Sequence, residues 1–488
     1  MSPWQRELRI AGGAAVAAFA EKLHRSLGPA VRVAVEAEPA SARPDADGAE
    51  TVLLRVAPGK PAAAGGRAWR IVDEHGEFLC SPRFGLRQCC RAPGLLSLHL
   101  VEDSRAGAPG RVLAEAHLGA WRPHPELREA AMKAAAALVA EAIRHPGRAT
   151  RPWAPLPRKA ADWPGRWRLA YGLKRARDKL TSENWAVGVT EVAPEELGRS
   201  QIMPGIRWTV PPSAEGYHAD PFPWPGRPGM ALCEYFDHAT GLGRLRALLL
   251  GAEAGTVLAE ELPVQVRGHL SYPFCWEEDG RVFCTPEMAA SRRQVIFELS
   301  PDAPPRAVAT VAEEVEMADP TFFRHGGLCW LAYTDVSFGP HDNLCLMFAE
   351  SLEGPWTPHP ANPVKIDIRS SRPAGPLLAV GGRLLRPAQD CAASYGAALV
   401  VNEILECTPS SYREKPVAVL SPDPEGPFPH GLHTIAAMAD GHFLVDGKRI
   451  SLSPGILLRR LARRLPSADW LRRPGARPIR KPAAGLRG

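Results

Sequence analysis

Two Ala-Asp-Pro runs, at 219–221 and 318–320, put a carboxylate at the head of an apolar stretch, and a third acid, Glu287, follows Thr285-Pro286. Acids placed this way suit work on a glycosidic bond. Cleavage there takes one carboxyl group to donate a proton and a second to activate water or attack the sugar. Asp220, Glu287 and Asp319 are therefore the candidate catalytic residues. Each also has a plainer reading. An Asp before Pro often only bonds its own backbone in a turn, and Glu287 equally suits a solvated strand edge.

Around these acids stand residues suited to holding a ligand. Arg386 and Asp390 flank Pro387 and Gln389 in a run with few apolar residues. Such groups fit sugar hydroxyls or a phosphate, Arg as a bidentate donor, or else form a buried Arg–Asp pair between elements. Arg372, in Ser-Arg-Pro-Ala-Gly, is a second candidate for a ligand anion, with a strand-end salt bridge as its alternative. His218, His269, Tyr272 and His433 complete the candidate binding set. No two of His218, His238, His269 and His433 have the i, i+4 spacing of a helical metal motif. A histidine bonded to a carboxylate or a sugar is the expected role, and neither a metal nor a cofactor is expected. Ten cysteines lack a matched pair of CxxC motifs, which argues against a zinc site and for buried free thiols in a reducing compartment. Trp208, Trp224, Trp276, Trp330 and Trp356 belong to cores, with one or two left to stack on a sugar ring.

These residues need a scaffold that gathers them across some 200 positions of sequence. From Trp185 the chain reads as short apolar runs punctuated by Gly, Pro, Asp and Asn, the pattern of strands. Asp279-Gly280, Gly326-Gly327, Gly381-Gly382 and Asp446-Gly447 lie between neighbouring runs and suit hairpin turns. Segments with similar openings begin near 205, 266, 315, 370 and 428, a period of roughly 50–60 residues. Repeats of that length with about four strands each predict the blades of a five-bladed β-propeller, against a sandwich or jelly roll as the alternative. The innermost strands of a propeller line one channel, so polar residues at equivalent positions meet there.

The runs HADPFPW, LCEYFD, HLSYPFCWEEDGRVFCTPEM, ADPTFFRHGGLCWLAYTD, SRPAG and GRLLRPAQDCAASYG resemble the glucosamine inositolphosphorylceramide transferase N-terminal domain family. The resemblance extends over about 185–453. It implies a five-bladed propeller similar to arabinanase- and fructosidase-type glycosidases, in which an Asp of the first blade is base or nucleophile and an acid of a later blade donates the proton. Asp220 matches the first role, and Glu287 and Asp319 compete for the others. In the plant transferases an exostosin-like glycosyltransferase domain follows this module, whereas here a basic segment follows, so their transfer chemistry is not simply carried over. The N-terminal region is vaguely similar to a degenerate formyltransferase-like domain without that family's active-site pattern.

The remaining chain is read more coarsely. Residues 1–148 mix a helix near 5–27, strands at 32–36, 52–56, 69–72, 96–101 and 112–117, and an Ala-rich helix over 125–144, giving a small α/β domain. Residues 149–184 form a Pro-rich linker and a short basic helix. The net charge of +6 resides in the tail, where 456–488 holds ten Lys or Arg and one Asp. The body is slightly acidic, which excludes a basic nucleic-acid surface. The tail, opening ILLRRLARRLP, suits a peripheral contact with an anionic membrane, and also a frayed terminus. With the apolar run 11–20 read as helix rather than signal, a cytoplasmic protein is expected, peripheral at the inner membrane. The function expected is carbohydrate-active: glycosyl transfer or hydrolysis on a surface polysaccharide or glycolipid. The alternatives are a sugar-binding module serving a partner glycosyltransferase, and a structural platform.

Overall fold

The computed structural model describes most of residues 6–452; the longer stretches outside it are 12–18, 24–30, 37–50, 57–66, 105–109, 158–168, 251–258 and 453–488. The basic segment 456–488 thus lies outside the described residues.

At the N-terminal end a seven-stranded mixed sheet runs in the order 31–36, 6–11, 51–55, 67–73, 95–102, 111–119, 151–152. The first four strands are parallel and the last three join antiparallel. Expectation and structure part at the start of the chain. Arg6–Ala11 is an interior strand rather than the first turns of a helix, and helical backbone is described at Phe19–Glu21 and Leu23. A half-buried strand and a short amphipathic helix share their apolar spacing over so few residues. The Ala-rich helix occupies His124–Arg144, with Pro in its first turn, where a missing N–H costs nothing. Six of its buried residues are alanines between Ala130 and Ala140, so it lies close against Leu96, Leu98, Leu100 and Leu118. Part of the proposed linker is not free chain. Arg151–Pro152 extends the sheet, Trp153 stacks under the Arg70 guanidinium, and the Leu156 N–H donates to Glu74.

Thereafter five sheets succeed one another, antiparallel apart from one short parallel pairing in the fourth. Sheet I holds Gly216–Pro223, Met230–Asp237, Leu242–Leu249 and Ala259–Glu261. Sheet II holds Ser271–Glu278, Arg281–Glu287, Arg293–Ser300 and Ala303–Glu313. Sheet III holds Met317–His325, Leu328–Asp335, Asn343–Ala349 and Thr357–Pro358, with Lys365–Ile366 at its side. Sheet IV holds Leu378–Val380, Arg383–Asp390, Ala398–Cys407 and Tyr412–Ser421, and Gln201–Ile202 joins its far edge. Sheet V is built from both ends of the segment: Ile435–Ala437 and Phe443–Leu452 pair with Thr181–Thr190 and Arg207–Val210. Ten residues of the last strand pair with the first, from Phe443 against Thr190 to Leu452 against Thr181.

Local chemistry explains the hairpins. Asp279-Gly280, Gly326-Gly327 and Gly381-Gly382 have positive φ at both positions, as a two-residue turn matching the strand twist requires. Asp446-Gly447 does not turn. Both residues sit inside the strand Phe443–Leu452, and a Cβ on Gly447 would meet the Trp208 ring at 2.0 Å. This glycine makes room for a ring, and the Asp beside it points inward with no exposure.

Candidate functional site

The opening strands of sheets I, II and III share an irregularity. In each, the residue before a proline takes a left-handed backbone: Asp220 at φ 51°, Tyr272 at 45° and Asp319 at 49°. The strand register slips at the same point, between Ala219 and Phe222, Ser271 and Phe274, and Ala318 and Thr321. A non-glycine residue held there costs about 1–3 kcal/mol, and a following proline restricts it further. Three such positions, one per sheet, turn these residues out of the ladder and toward one another.

Asp220 is joined to the ends of the chain. Its N–H donates to Asp446 Oδ2 at 3.0 Å, and its own carboxylate accepts from Thr434 Oγ1 at 2.9 Å and from the Tyr272 N–H at 3.2 Å. His433 lies between the two acids, Nδ1 at 2.6 Å from Asp446 and Nε2 at 3.2 Å from Asp220. It stacks on Trp185 at 3.9 Å between centroids and meets Tyr395 edge-on at 5.2 Å. Burial works against the charged imidazole, but Asp446 and Asp220 outweigh it and raise its pKa. Burial, partly offset by His433, pushes Asp220 up to about 6. Ligand atoms of Asp220, His433 and Asp446 all lie within 4.8 Å of one another, the one such group among the described residues able to hold a metal ion. Both histidine nitrogens lie close to carboxylate oxygens, so the imidazole ties the two acids into one buried polar cluster.

Asp319 faces Arg372. The guanidinium donates to both of its oxygens, Nε at 2.5 Å and Nη2 at 3.1 Å, and Gln389 Nε2 adds a bond at 2.6 Å. Glu287 Oε2 lies 3.5 Å from Arg372 and accepts the Asp319 N–H at 3.1 Å. Arg372 also donates to the Pro340 carbonyl and lies over the Tyr395 ring at 5.0 Å. Burial, with Glu287 adding to it against Arg372, pushes Asp319 up to about 7. A carboxyl whose folded-state pKa exceeds its unfolded value contributes stability that is full below about pH 4 and is lost as pH rises through about 7. The stability difference between about pH 5 and pH 8 should therefore shrink in Asp319→Asn, by on the order of 2–4 kcal/mol. Urea unfolding at both pH values measures it, and an unchanged difference would remove Asp319 as the cause.

The structure thus gathers Asp220, Glu287, Asp319, Arg372, Gln389 and His433 in one connected network. His269 stands beside it, Nε2 at 3.3 Å from Glu234. His218 is buried against Tyr235, and burial lowers its pKa to about 4. Tyr272 contributes its backbone N–H, while its ring packs on Phe222 and its hydroxyl bonds Thr321. Arg386 and Asp390 stand elsewhere. Arg386 spends Nε and Nη2 on Glu414 and bonds the Ser370 and Ser371 carbonyls, so four of its five N–H donors tie strands together. Asp390 accepts the Ala392 N–H in a local turn and bonds no network member. Trp276 stacks on Phe322, and Trp330 lies in the core of sheet III. Four participants were not singled out from the sequence: Glu234, Asp446, Trp185 and Tyr395. Asp446 and Lys448, two apart after the apolar run Phe443-Leu444-Val445, were the available signal for an inward-facing polar position.

Residues 253–425 match the family described as glucosamine inositolphosphorylceramide transferase 1, N-terminal. The glucosamine inositolphosphorylceramide transferase 1 of rice (Oryza sativa subsp. japonica) is 27% identical over 266 residues, 48% of this chain and 35% of the relative. That of Arabidopsis thaliana is 31% identical over 156 residues, 30% of this chain and 20% of the relative. The chain thus spans about a third or less of the length of these relatives. Among solved structures, an exo-β-1,3-galactanase of Phanerochaete chrysosporium aligns with 46% of this chain and 61% of its own, at a TM-score of 0.34 and 12% identity. A family 117 glycoside hydrolase of Zobellia galactanivorans aligns with 56% and 92%, at 0.32 and 12%. The formyltransferase likeness of the N-terminal region finds no support in these comparisons. The resemblance carried by the ADPTFF, SRPAG and RPAQDC runs is one to the glucosamine inositolphosphorylceramide transferase N-terminal family, and it lies across residues 253–425.

Proposed function

We propose that sheets I–V are the five blades of a propeller and that the protein acts on a carbohydrate at the centre of the ring. The observation that carries this reading is the convergence of Asp220, Tyr272 and Asp319, each forced left-handed at the head of a different sheet. Strain repeated in this way supports a site rather than a turn, because a turn needs none of the three residues to face the others. The curated relatives are named as transferases of a glucosamine-bearing lipid, and this supports a sugar or glycolipid as ligand. Asp220 is the base in this reading. Its partial deprotonation near neutral pH lets it take a proton from an acceptor hydroxyl or water.

A sugar-binding module that serves a partner glycosyltransferase is the second reading, and one observation favours it. Asp319, the other acid at the head of a strand, is held by both nitrogens of Arg372 and by Gln389, which leaves it poorly placed for proton transfer. The readings separate on one experiment. The full chain is given activated sugar donors with glycolipid acceptors and, separately, furanoside oligosaccharides, while calorimetry follows binding. Turnover supports the enzyme, binding without turnover supports the module, and neither overturns the carbohydrate reading. The basic segment 456–488 supports a salt-sensitive seat on an anionic membrane surface. No helix among the described residues is long and apolar enough to cross a membrane.

A further inference from the structure

Glu234 lies on the second strand of sheet I, directly across from Ala219 and so one residue from Asp220. The residue is buried, and its oxygen Oε1 accepts no aligned hydrogen bond within the described residues. His269, on the segment leading into sheet II, places Nε2 at 3.3 Å from it. The backbone sets the state of that histidine. The Gly243 N–H donates to Nδ1 at 2.8 Å, so Nδ1 is the acceptor and the ring proton of the neutral imidazole sits on Nε2, facing Glu234. Burial keeps the imidazole from charging. Gly243 makes this approach feasible, because a Cβ there would meet Glu234 Oε1 at 2.2 Å and His269 Cε1 at 2.7 Å.

We infer that Glu234 is the proton donor of the central site, with His269 and Gly243 as its positioning residues. This rests on the enzymatic reading above and names a group that the sequence motifs leave out. Burial, reinforced by Asp220, Glu287, Asp319 and Asp446, holds the group in its neutral form well above the usual carboxylate range. Asp220 and Glu234 thus stand on paired strands one residue apart in register, and burial raises both, an arrangement in which one acid can serve as base and the other as proton donor. In the step itself the bond between the anomeric carbon and the departing oxygen breaks, and its electron pair stays on that oxygen. The Glu234 proton moves to the same oxygen and leaves a carboxylate. The incoming hydroxyl, of water or of an acceptor sugar or lipid, bonds to the anomeric carbon and gives its proton to Asp220. The substrate class that needs this donor has a poor leaving group, an alkoxide such as a sugar or lipid alcohol. A fluoride or nitrophenolate departs with little help.

The test uses the full chain and Glu234→Gln. With alkyl glycosides the variant should lose ~10²–10⁴-fold in kcat, while turnover of the matching glycosyl fluoride stays within a few-fold of the parent protein. Equal loss on both substrates, or none on either, overturns the assignment. A second readout does not depend on turnover. Infrared difference spectra at neutral pH should show the carbonyl stretch of a protonated carboxylic acid that disappears in Glu234→Gln. If the parent protein turns nothing over yet shows this band, the enzymatic reading fails and the proton on Glu234 stands. If the band is missing, the proton donor is overturned whatever the activity.

Discussion

Arg372→Met should destabilise the protein by about 3–5 kcal/mol, the usual result of breaking a buried ion pair from one side. The guanidinium is buried, grips both oxygens of Asp319, reaches Glu287 at 3.5 Å and bonds the Pro340 carbonyl. Its removal leaves Asp319 and Glu287 facing each other without their shared cation, and Asp220 stands near enough to add to the repulsion. Methionine refills much of the volume, so the loss reads the charge more than a cavity. The partner variant Arg372→Met with Asp319→Asn removes one of the stranded acids and should recover at least half of the loss. Chemical unfolding of the parent protein, both single variants and the double variant gives the coupling directly. A loss below about 1 kcal/mol in Arg372→Met would place the pair among solvated contacts of little worth.

Asp220→Asn should lower turnover of a glycoside or glycosyl donor by ~10²–10⁴-fold, the range set by loss of a positioned base. The amide keeps the size of the side chain and one oxygen for the Tyr272 N–H, while the Thr434 hydroxyl can turn to accept from the amide N–H, so the fold should survive. A folded protein with intact sugar binding and lost turnover is the signature expected. The pH profile adds a second measure. In the parent protein, activity should fall on the acid side as Asp220 takes up a proton, near its raised pKa of about 6. That limb should vanish from the residual activity of the variant. Persistence of the same limb would assign it to another group and leave Asp220 as a structural acid holding sheets I and V together.

Much of the site was legible because the chain repeats itself. Asp220, Asp319 and Arg372 each precede a proline before an apolar run, and repetition is visible in a sequence even when distance is not. Residues off that pattern were harder to read. Glu234 is flanked by Cys233 and Tyr235 within an apolar strand, where a single acid gives no hint of the His269 that faces it from 35 positions away. Asp446 was hidden by its neighbour. Asp-Gly is a strong local turn signal, but the need to seat Trp208 against Gly447 decided the outcome. Arg386 shows the opposite error. Its residue type suits a ligand, and sequence offers no means of seeing that Glu414 already occupies it. The fold was read well where strands are bounded by glycine pairs. It was read poorly at Arg6–Ala11, where the strand is too short for its period to tell.

The way sheet V is assembled bears on how the molecule comes into being during synthesis. Trp185 is supplied by the first strand of sheet V, and His433 and Asp446 by the stretch that completes it, about 250–260 residues later. A ribosome releases the chain from its N-terminus, so sheets I to IV emerge and can pair internally while Thr181–Thr190 still lacks its partner strand. Until Phe443–Leu452 arrives, that early strand is an open edge of ten residues, and the acid at 220 has neither Asp446 nor Thr434 to hold it. Completion of sheet V and assembly of the cluster around Asp220 are therefore one event. An unfinished chain carries the candidate carboxylates without the contacts that gather them.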